Sequence, residues 1–448
     1  MTQKDQQTGL DYAGGKVTNL FFKIFFPTLL GMIFNALITV IDGIFVGQGV
    51  GPNGIAAVNI IAPIYMVVTG IGLMFGIGAS VVAGVMLAQD DSQRASVGVT
   101  QAVVVSGVLV SAVTIILGLM PESVARMLGC SDVLMPHAID YLMWILPGIF
   151  FLLFNCIGMM VIRLDGSPKF AMLCNVIPAV INIALDYWLV FPMEMGVKGA
   201  AIATSASIII GSIMVIYYFC GHSYVIKFAW SRVSLWNNVW RQACVGSSAF
   251  ITEVAMSIMM LTGNYVFMKY YGEAGVAAYS IACYLFPIMF MMSNSVAQSA
   301  QPIISYNYGA GNSKRVYKAF KVSLIVAIVC GLIAASCISF GADIIVGLFI
   351  DPDCEAGLLA RAGLPVFAMC AVFFAANISV IGFCQSVENA VQATILTLLR
   401  GVVVIVPAFL LLPTLGYWWG VWAAIPVSEA LTLVVIMIMG ACNCFKLR

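Results

Sequence analysis

Five ionisable side chains interrupt apolar stretches that are each long enough to cross a bilayer. They are Asp42, Asp186, Glu253, Arg400 and Glu429. On insertion scales, a charge near the bilayer centre costs roughly 2.5–3.5 kcal/mol, so such a residue must face protein or a water-filled cavity. We therefore treat all five as candidate functional residues.

The spacing around Asp186 indicates a polar helix face. Asn182 and Asp186 are four residues apart and share one face of a helix. If that face meets Asp42, two carboxylates and an amide converge, and the two acids cannot both ionise cheaply. The pattern predicts a site for a proton or for Na⁺ bound by oxygens. The alternative is structural: Asp42 caps a bend, and Asn182 and Asp186 join helices.

A second group of candidates lies in the other half of the chain. The expected partner of Arg400 is an acid of the same half, Glu253 or Glu429, and both a structural salt bridge and a transport role remain open. Methionine is pliable and suits promiscuous apolar pockets, although it also fills membrane helices. The candidates for substrate contact are Met256, Met260 and Met289.

The composition requires a membrane protein. Of the 448 residues, 62% are hydrophobic and 9% are charged, whereas a soluble domain carries about 25% charged residues. The net charge of +1 gives no reason to expect a nucleic-acid partner. No HExxH, GxxxxGK[ST] or GxSxG motif occurs, and the cysteines lack metal-site spacing, so we expect neither an enzyme nor a bound cofactor.

Twelve apolar runs predict an all-α polytopic protein with twelve transmembrane helices. With both termini placed in the cytoplasm, 15 of the 20 Lys and Arg residues lie on the cytoplasmic side, four lie outside, and Arg400 falls within a span. This bias predicts a multi-pass protein of the plasma membrane with both termini inside.

The halves of the chain repeat each other. The run "GPNGIAAVNI" (51–60) matches "GEAGVAAYSI" (272–281) at an offset of 221, and the same offset without a gap lays "RLDGSPK" over "CQSVENA". We interpret this as a duplication of a six-helix unit. Because six is even, the repeats are parallel, with a substrate path between them. The predicted lobes are 1–220 and 243–448, with a cytoplasmic linker at 221–242.

A stripe of small residues on the second span predicts close helix packing. Gly72, Gly76, Ser80 and Gly84 are spaced by four, so the helix backbone can approach a neighbour closely. We assign this stripe a structural role.

These features resemble the multidrug and toxic compound extrusion (MATE) family. The resemblance is carried by the duplication and by "IDGIFVGQGVGPNGIAAVNIIAP" and "GEAGVAAYSI…AQSAQPIISYNYGAGNSKR", and it covers nearly the whole chain. It implies two six-helix lobes around a V-shaped central cavity. It also implies export of organic, often cationic, compounds in exchange for H⁺ or Na⁺ by alternating access.

Within this family the chain is closer to the DinF-like and MepA-like branch, which couples through the amino-terminal lobe. The residues that match the coupling site there are Asp42, Tyr141, Asn155, Asn182, Asp186 and Thr204. If Na⁺ is the coupling ion, the resemblance implies that Asp42, Asn182 and Asp186 are its ligands. Pro27 matches the hinge proline of the first helix.

The NorM-like branch instead uses acids on helices 7 and 10. Glu253 fits the first of these positions, but the tenth span holds no acid, so that site is incomplete here.

Three other functions remain as alternatives. A lipid-linked oligosaccharide flippase of the same superfamily would need basic residues along its cavity, and only Arg400 is buried in a span. An intramembrane enzyme would need His or Cys at membrane depth beside an acid. A passive channel would not accumulate substrate. The expected partners are small organic cations and the lipid bilayer, and the duplication makes a monomer sufficient.

Overall fold

The computed structural model describes residues 10–50, 52–128, 130, 132, 134–230, 235–416 and 419–442. Helices dominate, and no strand occurs within these ranges. The elements, in chain order, are α1 (Val17–Gly49), α2 (Pro52–Ala88), α3 (Ser92–Leu119), α4 (Pro121–Met127), α5 (Met135–Leu164), α6 (Pro168–Val190), α7 (Gly196–Tyr217), α8 (Leu235–Gly309), α9 (Ser313–Phe340), α10 (Ala342–Phe349), α11 (Glu355–Ala368), α12 (Cys370–Ser386), α13 (Ala390–Leu398), α14 (Ile405–Leu411) and α15 (Ala424–Ala441).

The membrane spans agree with the predicted number. Eleven stretches of the described chain are long and apolar enough to cross a bilayer, and one of them contains α8, which is long enough for two spans. Gly272, with φ 60° and ψ −151°, breaks α8 into two helices. The prediction of an all-α polytopic protein with twelve spans is therefore confirmed. The predicted loop "KYYGEAG" is wrong, since it is helical on both sides of Gly272. Gly51, at the start of the first repeat motif, lies outside the described residues.

The chain forms two compact units. Unit 1 contains Met1–Glu253 and Ser305–Gly311, and unit 2 contains Val254–Ile304 and Asn312–Arg448. The apolar core of unit 1 is built mainly on α2, α3, α5 and α7, and that of unit 2 on α8, α11, α12 and α15. The lobe boundaries 1–220 and 243–448 stay a prediction, but helix α8 already begins at Leu235, inside the linker predicted at 221–242.

Local backbone features repeat between the halves. Asp91 and Asn312, which are 221 residues apart, each accept a hydrogen bond from the backbone N–H three residues later and so cap α3 and α9. Gly166 and Glu388 follow the ends of α5 and α12, and both have positive φ, but they are 222 residues apart. The gapless match of "RLDGSPK" to "CQSVENA" is therefore wrong by one residue.

The stripe of small residues packs α2 against α5. A Cβ atom added at Gly72 would lie 2.9 Å from the Cβ of Cys156, and one added at Gly76 would lie 2.8 Å from the Cys156 carbonyl oxygen. One turn further, Ser80 Oγ donates to the Met160 carbonyl oxygen at 3.2 Å. The predicted close approach is thus observed at three of the four positions, and it fixes α5 beside α2.

The non-helical segment after α7 is held by side-chain acceptors. Asp165, which is fully buried, accepts the backbone N–H groups of Tyr224, Val225 and Ile226 at 2.7–2.9 Å, and the Tyr218 hydroxyl at 2.8 Å. Burial raises the pKa of the Asp165 carboxyl group, and these hydrogen bonds act in the opposite direction. One carboxylate therefore supplies the acceptors that a regular helix would provide internally.

We expect Asp165→Ala to destabilise unit 1 by about 2–4 kcal/mol, since an unsatisfied buried donor costs about 1–3 kcal/mol. Asp165→Asn should lose less, because one acceptor oxygen remains. The measurement is unfolding of the purified protein in detergent micelles. The matched control is Asp91→Ala, which removes a more exposed helix cap and should cost about 1 kcal/mol. Equal losses for the two alanine variants would contradict the proposed anchoring role.

Candidate functional site

The site in unit 1 lies between α1 and α6. The buried positions of α6 recur every three or four residues, and Asn182 and Asp186 occupy two consecutive ones. Helix α1 runs without a break past Pro27 and carries Asp42 in its second half, half-buried. A Cβ atom added at Gly31 would lie 3.0 Å from the Asn175 side chain, so the two helices approach closely. The predicted polar face of α6 is therefore directed into the protein.

Asp42 and Asp186 form a pair of neighbouring carboxyl groups. They lie within hydrogen-bonding reach of each other whenever one of them carries a proton. Asp42 Oδ1 and both carboxylate oxygens of Asp186 are buried without a hydrogen-bond partner. In the described part of the chain, neither acid forms an ion pair with Lys or Arg. The pair thus has unused capacity for a proton or a small cation.

Further oxygens surround this pair. Asn182 is fully buried and donates through Nδ2 to Thr204 Oγ1 at 3.5 Å, while its Oδ1 has no donor. Tyr141 lies within electrostatic range of both acids. The carboxylates and the free amide oxygen are hard ligands of the type that Na⁺ prefers. Asp42, Asn182, Asp186, Thr204 and Tyr141 are therefore brought together as the sequence predicts.

Asn155 has a different place. Its Nδ2 donates to the Ile208 carbonyl oxygen at 2.9 Å and to Ser212 Oγ at 3.1 Å, so it joins α5 to α7. Among the described residues no hydrogen bond connects it to the acid pair. We assign Asn155 to helix packing, and its predicted part in coupling stays a prediction.

Tyr65 was not singled out from the sequence. This residue of α2 lies within electrostatic range of Asp42 and Glu253. The only sequence signal is one hydroxyl within an apolar span, two residues after Pro63. Glu253 is itself buried, and its Cβ would lie 3.5 Å from a Cβ added at Gly70 of α2. By its contacts Glu253 belongs to unit 1, whereas the sequence analysis places it in the second lobe. Its role in transport stays a prediction.

Unit 2 contains a buried ion pair. Arg400 Nε lies 2.7 Å from Glu429 Oε1, and Asn377 Nδ2 donates to Glu429 Oε2 at 2.8 Å. The guanidinium carbon lies 4.2 Å from the centre of the Phe374 ring. Arg400 is carried by the π-helical stretch Leu399–Val404 between α13 and α14. The partner of Arg400 is therefore Glu429, and not Glu253.

The repeat relates these two sites. In unit 1, Asn155 donates to the carbonyl oxygen of Ile208, and in unit 2, Asn377 donates to the carbonyl oxygen of Glu429 at 2.9 Å. Ile208 and Glu429 are 221 residues apart in the sequence. The same asparagine-to-backbone bond thus occurs in both units, but in unit 2 the acceptor residue carries an acid that Arg400 neutralises.

The three methionine candidates lie in the core of unit 2. Met289 is buried there, and Met256 and Met260 are partly buried against the same cluster. This placement accounts for them as packing residues, and their contact with substrate stays a prediction.

Comparison with known proteins decides the family. The MatE family profile matches residues 27–188 and again residues 249–410, which together exceed half of the chain and repeat the offset of 222. The chain belongs to the MatE family. The multidrug export protein MepA of Staphylococcus aureus (strain MRSA252) is 26% identical over 428 residues, covering 92% of this chain and 91% of MepA.

Other relatives agree with this assignment. MepA of Staphylococcus saprophyticus is 24% identical, again covering 92% of this chain and 91% of the relative. A solved MATE family transporter in an outward-facing conformation superimposes with a TM-score of 0.89 at 23% identity, covering 99% of this chain and 98% of that one. This MatE protein is therefore a membrane transporter and not an enzyme, and its relatives do not favour the flippase alternative.

We expect the Arg400–Glu429 pair to be structural. Arg400→Met or Glu429→Gln alone leaves an uncompensated buried charge and should cost about 3–5 kcal/mol of stability, whereas the Arg400→Met/Glu429→Met double variant should recover most of that loss. Thermal unfolding of the four proteins gives the coupling energy directly. The double variant should also keep transport. A well-folded double variant that no longer transports would assign the pair to the transport cycle instead.

Proposed function

We propose that this protein is a secondary antiporter that exports organic, often cationic, compounds and that H⁺ or Na⁺ drives the export by entering the Asp42–Asp186 pocket. The multidrug export function of the MepA relatives supports the substrate class. A monomer in the plasma membrane with both termini in the cytoplasm is the corresponding arrangement. The terminal residues 1–9 and 443–448 lie outside the described part of the chain.

One observation carries this proposal: two buried carboxyl groups face each other without a resident cation. As carboxylates they repel each other, and most of their oxygens lack donors. A proton or Na⁺ removes part of the repulsion and supplies the missing partner. The free energy of the pocket therefore depends on occupancy by an external cation.

Occupancy can drive transport because closing a charged pocket away from water is costly. Neutralising the carboxyl pair lowers that cost, so the occupied pocket favours a conformation in which α1 and α6 pack more tightly. Pro27 lies 15 residues before Asp42 in α1, which is about 22 Å along the helix, and it weakens the helix at that point. The ion shifts the equilibrium only by its difference in affinity between the two conformations.

We expect Asp42→Asn and Asp186→Asn each to abolish gradient-driven export. Purified protein is reconstituted into liposomes, and movement of a fluorescent organic cation is followed with a proton gradient and a sodium gradient imposed separately. Both variants should fall to the rate of protein-free liposomes, because an amide neither takes up a proton nor attracts Na⁺. The matched control is Asp140→Asn, which makes the same change on an exposed acid of α5. Undiminished gradient-driven export by either site variant would refute the assignment.

Asn182→Leu distinguishes the two coupling ions. Leucine keeps the side-chain volume but removes the free amide oxygen that would bind Na⁺. If Na⁺ is the driving ion, the variant should need a much higher Na⁺ concentration for half-maximal export. If H⁺ is the driving ion, the protonation of Asp42 and Asp186 does not need that oxygen, and proton-driven export should persist. The measurement is the dependence of the export rate on external Na⁺ and on external pH.

The same liposomes test the remaining alternatives. A passive channel would never concentrate the dye against its gradient, whereas an antiporter does. A flippase would move a lipid-linked anion across the bilayer without accelerating dye export.

A further inference from the structure

A cavity of about 1060 Å³ lies where α1 and α6 begin and α7 ends, within unit 1. It is separate from the acid pair, because Lys23 and Pro27 of the first half of α1 line it, whereas Asp42 lies in the second half of that helix. Lys169 and Leu173 of α6 and His222 after α7 complete its wall. The coupling mechanism makes no use of this cavity.

One wall of the cavity is basic. Lys23 and Lys169 are exposed, and in the described residues neither forms an ion pair with a carboxylate. The nearest acid, Asp165, is fully buried and already accepts four hydrogen bonds. The cavity also contains the first residues of α6, where Ser167 makes no capping hydrogen bond, so the helix dipole adds positive potential. These groups together favour an anion.

The opposite wall is apolar and open. Phe26 is 62% exposed and Leu173 is 39% exposed, and both belong to membrane-spanning helices. A soluble anion would make no use of such a wall. A molecule with a phosphate at one end and hydrocarbon at the other would use both walls.

We propose that this cavity binds an anionic phospholipid of the cytoplasmic leaflet, with its phosphate between Lys23 and Lys169 and its acyl chains against Phe26 and Leu173. The distribution of basic residues places this end of α1 on the cytoplasmic side, where anionic lipids are drawn to basic residues near the surface. Lys23 lies about 9 Å into α1, within reach of the headgroup region for a long side chain. The bound lipid also touches Pro27, which lines the same cavity.

The test measures lipid binding and not transport, so it is independent of the proposed coupling site. The purified full chain in detergent is titrated with dioctanoyl phosphatidylglycerol, and separately with dioctanoyl phosphatidylcholine and with glycerol phosphate, and bound lipid is counted by native mass spectrometry. Each lysine beside an anionic headgroup contributes roughly a factor of five. The Lys23→Gln/Lys169→Gln double variant should therefore bind phosphatidylglycerol about 30-fold more weakly.

Two further variants serve as controls. Lys318→Gln/Lys321→Gln removes the same charge from two exposed lysines of α9 and should bind like the unaltered chain. Lys23→Arg/Lys169→Arg keeps the charge and should restore binding. Equal dissociation constants for the two glutamine variants would overturn the proposal. Equal binding of phosphatidylcholine would overturn the headgroup assignment, and glycerol phosphate binding as tightly as the lipid would identify a soluble anion as the ligand.

Discussion

A charge buried in a membrane-spanning helix must be compensated, and the two units of this transporter meet that requirement differently. In unit 2 the compensation is internal and permanent, because Arg400 lies against Glu429 and Asn377 occupies the second carboxylate oxygen. In unit 1 the Asp42–Asp186 pair has no internal cation. Only the second arrangement leaves a free energy that an external ion can change. The asymmetry of compensation therefore assigns coupling to unit 1 and a fixed structure to unit 2.

The same requirement applies to the backbone. Within the bilayer the helices satisfy their own N–H and C=O groups, so irregular segments need other acceptors. After α7 these acceptors are side chains: Asp165 takes three backbone N–H groups, and Ser96 and Thr100 of α3 take those of Lys227 and Ala229. The segment that leads towards the second half of the chain is thus fixed to the helices of unit 1.

The sequence is sufficient for the fold because a bilayer imposes long apolar runs, and twelve such runs are visible without any tertiary information. It is less sufficient for boundaries. Gly272 breaks α8 within one residue, where composition predicts a loop, and the repeat shifts from 221 to 222 because a single added residue leaves no trace in a gapless comparison. Local spacing predicts the Asn182–Asp186 face, since four residues make one helical turn. No local rule selects Glu429 as the partner of Arg400, because that choice depends on how distant helices pack.

The duplication explains how one ancestral unit supports both solutions. Each unit retains an asparagine that donates to a backbone carbonyl, Asn155 to Ile208 and Asn377 to Glu429, so this helix contact preceded the divergence of the side chains around it. Introducing Glu429 at the second contact is tolerable only with Arg400 present, since a lone buried carboxylate costs several kcal/mol. The acids of unit 1 instead lie on α1 and α6, and α1 contains Pro27. The uncompensated charge thus sits on a helix that can bend, which is the arrangement in which neutralising a pocket can be converted into movement.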